Sequence, residues 1–99
     1  MTIEINHNKI ELKQTLKSML IFEKITERNF DIKTISDVII YFYSCVIASK
    51  KDIDLTFDDF IEWLDNNQNS FADFNEWLLT SAEQQQQLSG GKSSKKKKK

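Results

Sequence analysis

Phe57-Asp-Asp-Phe-Ile-Glu-Trp-Leu64 and Phe71-Ala-Asp-Phe-Asn-Glu-Trp-Leu78 are two copies of one pattern, Phe-x-Asp-Phe-x-Glu-Trp-Leu, set 14 residues apart. Each copy follows a hydroxyl residue, Thr56 or Ser70, with Asp59 or Asp73 three positions on. That spacing is a helix start. The hydroxyl accepts from an orphan N–H, and the carboxylate sits at the positive end of the helix dipole. Phe57, Phe60, Ile61 and Leu64 then fall at i, i+3, i+4 and i+7, one face of a helix. Phe71, Phe74 and Leu78 repeat the geometry, with Trp63 and Trp77 on the flanks. Two short aromatic-faced helices are predicted, joined by the turn Asn66-Asn67-Gln68-Asn69.

Upstream, Thr34-Ile-Ser-Asp37 repeats the start signal and opens a helix from Ile35 to Ala48. Its apolar residues occupy nearly every side, as in a helix contacted all round by its own domain or by a partner. Lys50-Lys51-Asp52 ends it, and Ile53 and Leu55 form an extended connector. Thr15 to about Thr26 is a further helix, with Leu16, Met19, Leu20, Phe22 and Ile25 spread over a wide apolar arc. Asn29 and Asp31 break it, and Phe30 and Ile32 tuck the connection into the core. The first dozen residues alternate with period two. Pairing Ile3 with Leu12 and Ile5 with Ile10 leaves His7-Asn8 as a two-residue hairpin loop and sets Glu4 opposite Glu11. The fold class is therefore α+β, predominantly helical: an N-terminal hairpin (2–12) packed on a bundle of about four helices.

Residues 1–88 read as a single domain, and 89–99 as a disordered Ser/Gly/Lys tail with nothing apolar to bury. All 15 acidic residues lie before Ser89, against eight basic ones, a body charge of −7; six tail lysines restore the total to −1. An acidic body does not suit wrapping nucleic acid, which needs a basic face. Val38 to Ala48 is too short an apolar run to cross a bilayer, and the N-terminus has no signal-peptide pattern. A cytoplasmic protein is expected, consistent with a single cysteine, Cys45, in an apolar run where an inert buried thiol is the simplest reading.

Signals for chemistry are weak. His7, the only histidine, belongs to the hairpin tip and has no companions for a zinc site or a nucleophile–base pair. Glycine is absent before position 90, so no loop can cradle a phosphate. Asp52, Asp54, Asp58 and Asp59 lack the central glycine and bidentate glutamate of an EF-hand. Glu62 and Glu76 are surface carboxylates of amphipathic helices. No enzyme, cofactor or metal site is predicted. The candidate site is instead adhesive. The first copy reads as core, whereas the second adds large apolar residues beyond what a small body needs. Phe71, Phe74, Trp77 and Leu78 are accordingly the candidate partner-binding residues, for a client or for a homo-oligomer.

Thr2-Ile-Glu-Ile-Asn6, Lys9-Ile-Glu-Leu12, Leu16-Lys-Ser-Met-Leu-Ile-Phe-Glu-Lys-Ile-Thr26 and Leu55-Thr-Phe-Asp-Asp-Phe60 resemble the tail assembly chaperones of long-tailed bacteriophages, the small siphovirus and prophage type. The resemblance covers residues 2–64 and leaves the second motif copy outside. It implies a scaffold that binds the tape measure protein, keeps it soluble and recruits tail tube protein around it. It also implies a short frame that a ribosomal frameshift extends, for which an A-rich stretch encoding Lys95–Lys99 would serve as slippery site; the codons there test this. The contrasting expectation is a small dimeric adaptor or regulatory module that uses its basic tail on nucleic acid.

Overall fold

The computed structural model describes residues 1–50 and 53–89, with side chains as far as Ser81. Two strands, β1 (Thr2–Ile5) and β2 (Asn8–Glu11), are followed by four helices: α1 (Leu16–Thr26), α2 (Ile35–Ser49), α3 (Phe57–Asp65) and α4 (Gln68–Ser89). The class is α+β, predominantly helical, as expected. Apart from Ser89, which ends α4, the predicted tail lies outside the described residues, as do Lys51 and Asp52.

The hairpin has the expected strands and faces in a different register. Thr2 pairs with Glu11, Ile3 with Ile10, Glu4 with Lys9 and Ile5 with Asn8. The loop is Asn6-His7, both at positive φ (51° and 66°). A two-residue loop with two positive φ values matches the twist of its strands, and Asn6 tolerates that region better than most residues. The shift is by two residues, so no side chain changes face. It replaces the Glu4–Glu11 opposition with Glu4 across from Lys9, and Thr2 Oγ1 donates to Glu11 Oε1 at 2.8 Å. Ile3, Ile5, Ile10 and Leu12 all enter the core.

Helix starts follow the hydroxyl signals at two of the three predicted places, Thr34 and Thr56, and Thr15, placed by the sequence inside its helix, caps α1. At Thr15 the capping box is closed by Ser18: Ser18 N–H donates to Thr15 Oγ1 at 3.1 Å, and Thr15 N–H to Ser18 Oγ at 3.0 Å. Thr34 and Asp37 form the same box, and Thr56 Oγ1 accepts from Asp59 N–H at 3.1 Å. α1 stops at Glu27, which takes a left-handed conformation (φ 58°) and donates its N–H to Glu23 O at 2.7 Å. The remaining predicted start, at Ser70, is not used. α4 already begins at Gln68, because the side-chain amides of Asn66 and Asn67 donate to Glu62 O (3.0 Å) and Trp63 O (2.7 Å). Those bonds satisfy the last carbonyls of α3 and shrink the four-residue turn to two.

The core is aromatic and centred on α2, whose Tyr41, Phe42, Ser44, Cys45 and Val46 are buried. Phe22 of α1 packs edge-on to Tyr41; Phe60 of α3 packs edge-on to Phe42; Phe74 of α4 stacks on Phe42 at 4.2 Å and 5°. Each such pair adds about 0.5–1.5 kcal/mol beyond area burial. Tyr43 Oη donates to Leu55 O at 2.7 Å and fastens the connector before α3.

A candidate apolar groove

The connection between α1 and α2 is held by side chains that take up its backbone N–H groups. Phe30 N–H donates to Glu23 Oε2 at 2.8 Å, while Lys33 and Thr34 N–H donate to Asp37 Oδ2 at 2.9 and 3.1 Å. Arg28 pairs with Asp37 Oδ1 and lays its guanidinium over the Phe22 ring at 5.7 Å. The Lys33 backbone bond and the Arg28 side chain hold the Asp37 carboxyl down at about 2, so it stays ionised although its side chain is only 4% exposed. Pinned this way, Phe30 and Ile32 become one fixed wall of a groove rather than a loose loop.

Phe71, Asn75, Leu78 and Leu79 of α4 form the facing wall. Val38 and Tyr41 are the floor, and Met19 and Ile35 close the apolar lining within a volume of about 760 Å³. At one end Tyr41 Oη donates to Gln14 Oε1 at 3.3 Å and lies 3.3 Å from Ser18 Oγ. Burial pushes the phenol well above its ordinary range, so Tyr41 contributes a neutral hydroxyl. The same desolvation pushes the neighbouring Cys45 thiol up to about 12, which makes it an inert packing residue. Among the described residues no three His, Cys, Asp or Glu side chains converge, and no helix is long and apolar enough to cross a membrane.

The four predicted partner-binding residues separate. Phe71 and Leu78 line the groove. Trp77 is half-buried against Phe74, with ring centroids 5.6 Å apart. Phe74 is corrected to core, with no exposed surface, because it stacks on Phe42 and lies 6.2 Å from Tyr41, both on α2. The exposed large apolar residues are other than the candidates: Leu16 (72%), Leu20 (55%) and Ile25 (43%) of the α1 arc, Ile35 (69%) at the start of α2, Phe57 (37%), and Leu79 (60%) at the second copy's end. Ile35 and Leu79 stand on the groove, whereas Leu16 and Leu20 share a face of α1 to one side of Met19. Their position at the first turn, or one step off the buried arc, was the available signal: α1 buries Ser18 and Phe22, and Leu16 and Leu20 lie well round the helix from both. Comparison of the chain with protein-family models, curated proteins and solved structures gives no match.

Proposed function

We propose that this chain is an assembly chaperone that shields an apolar helical segment of a larger client, in the manner of the phage tail assembly chaperones that residues 2–64 resemble. The observation that supports the reading is the groove, with two large aliphatic side chains, Ile35 and Leu79, left exposed on its lining. A groove between helices, lined by Phe, Ile, Leu, Val and Met, suits the apolar face of an amphipathic helix. Exposed apolar surface of this kind is costly in a free protein, and a client that covers it while having its own covered gains on both sides. The client would be the tape measure protein, and tail tube subunits the next component recruited.

Co-expression with a phage tape measure protein tests this. The client should be soluble with the wild-type chain and aggregate with Ile35→Asp/Leu79→Asp, a variant altered only where the body is exposed. Equal client solubility with and without the chain would overturn the reading.

A further inference from the structure

The 14-residue offset between the motif copies is two heptads. Phe57, Leu64, Phe71 and Leu78 therefore stand seven apart, and Phe60 and Phe74 fourteen apart with Asn67 midway between them. On one unbroken helix these residues would form a single seam, the two copies only about 40° apart around the axis. The break that prevents this is slight. Asn66 keeps right-handed helical dihedrals (φ −89°, ψ −2°), and α4 resumes at Gln68. Neither Asn66 nor Asn67 has a positive φ, and no glycine or proline lies between Phe57 and Ser81. The bend is held by the two asparagine amides on Glu62 O and Trp63 O, and by the stacking of Phe74 on Phe42. Phe74 is the one fully buried side chain of α4 among the described residues, so a single ring is the main anchor of that helix.

We propose that two copies of this chain exchange α4: residues 66 and 67 become helical, α3 and α4 run on as one helix, and Phe74 of each copy stacks on Phe42 of the other. In the merged helix Phe60 and Phe74 lie about 21 Å apart, the rise of 14 residues, so they cannot both cover one Phe42 ring. Phe60 stays on its own body, and Phe74 requires a second body with the same seat. A second copy supplies that seat, because its Phe42 and Tyr41 already receive a Phe74 ring in the closed monomer. The exchange keeps the contacts that α4 makes with the body and gives up only the bend, which is why such swaps need little driving force. It also rebuilds the groove, with Val38 and Ile32 of one copy facing Phe71 and Leu78 of the other. The exchange goes beyond client holding and stands without it.

The test uses the full chain, with mass read by light scattering on size-exclusion fractions over a range of concentrations. Asn66→Ala/Asn67→Ala removes both asparagine bonds and favours helix at the bend. It should shift the protein, increasingly with concentration, to a species of twice the 11.6 kDa of one chain. Adding Gln68→Pro to that variant should return it to monomer, since proline fits the first position of α4 but not the interior of a merged helix. Spin labels at Asp58→Cys and Thr80→Cys, in a Cys45→Ala background and diluted with unlabelled chain, report the bend directly. They should stand about 33 Å apart in the dimer, the rise of 22 helical residues, and closer in the monomer. A dimer with the monomer's label distance, a dimer that persists with Gln68→Pro, or an alanine variant that stays monomeric at millimolar concentration would overturn the exchange.

Discussion

Phe74→Ala is the most direct test of how α4 joins the body. Phe74 has no exposed surface, stacks on Phe42 at 4.2 Å, and lies 6.2 Å from the Tyr41 ring and 5.6 Å from Trp77. It is the one fully buried side chain of α4 among the described residues; Phe71, Trp77 and Leu78 are only partly covered. Truncating a buried phenylalanine removes its transfer free energy and leaves a cavity, about 3–5 kcal/mol together. A body of this size has roughly 4–13 kcal/mol in total. The variant should lose about a quarter or more of its stability, and α4 should detach or the whole domain melt early. Urea unfolding followed by far-ultraviolet circular dichroism gives the change, and tryptophan emission localises it, because Trp77 touches the deleted ring while Trp63 sits on Phe42 and Phe60. Leu79→Ala, at a position 60% exposed, is the control and should stay within about 0.5 kcal/mol. If Phe74→Ala behaved like that control, with emission unchanged, the second motif copy would be a solvent-facing stripe and the aromatic core described above would be wrong.

Three further outcomes follow from the same structure. Cys45 should resist a thiol reagent at pH 8 in the folded protein and react fully in denaturant; rapid native labelling would contradict its burial. His7→Gly should raise stability by about 0.5–1 kcal/mol by relieving a positive φ, whereas Asn8→Gly should lower it, since Asn8 is paired with Ile5. Urea midpoints of the two variants check this, and a gain from Asn8→Gly would favour the register with His7-Asn8 as the loop. Asp37 has a carboxyl pKa depressed from 3.8 to about 2, so its contribution is complete above about pH 4 and disappears as pH falls through 2. The thermal midpoint should therefore fall more steeply between pH 5 and pH 2 in the wild type than in Asp37→Asn; parallel curves would show that the loop clasp is not energetically coupled to folding.

What was legible in the sequence was local. Thr34 and Thr56 announce helices because a cap depends on a hydroxyl and its third successor, and little else. The hairpin faces were legible for the same reason, since period two fixes which isoleucines point inward whatever the register. The register itself was not, because it depends on which dipeptide bends, and Asn6-His7 and His7-Asn8 each offer an asparagine. Groove residues were harder still. Leu16, Leu20 and Ile35 look like core in a linear pattern, and only the direction from which α2 and α4 approach leaves them outside. Tertiary placement decides exposure, and periodicity reports only that a residue is apolar.

The doubled motif shows the same division within a single pattern. Both copies bury their central phenylalanine against Phe42, Phe60 edge-on at 5.1 Å and Phe74 in a parallel stack, so one ring of α2 is covered from two sides by equivalent residues. The pattern is thus an inward device used twice, and neither copy is spare. What differs is the neighbour at the next position round. Ile61 of the first copy packs on the core, whereas its equivalent Asn75 lies on the groove. The first residue of each copy also parts ways, Phe57 meeting Tyr43 edge-on at 5.3 Å and Phe71 lining the groove. An isoleucine at position 75 would extend the apolar lining and strengthen any apolar occupant without disturbing the core. Asn75→Ile should therefore tighten binding of a fluorescent synthetic amphipathic helix with a Leu/Ile ridge, read by anisotropy, while leaving the urea midpoint almost unchanged. If it instead shifted the midpoint and not the binding, the groove would be unfinished core and not a docking surface.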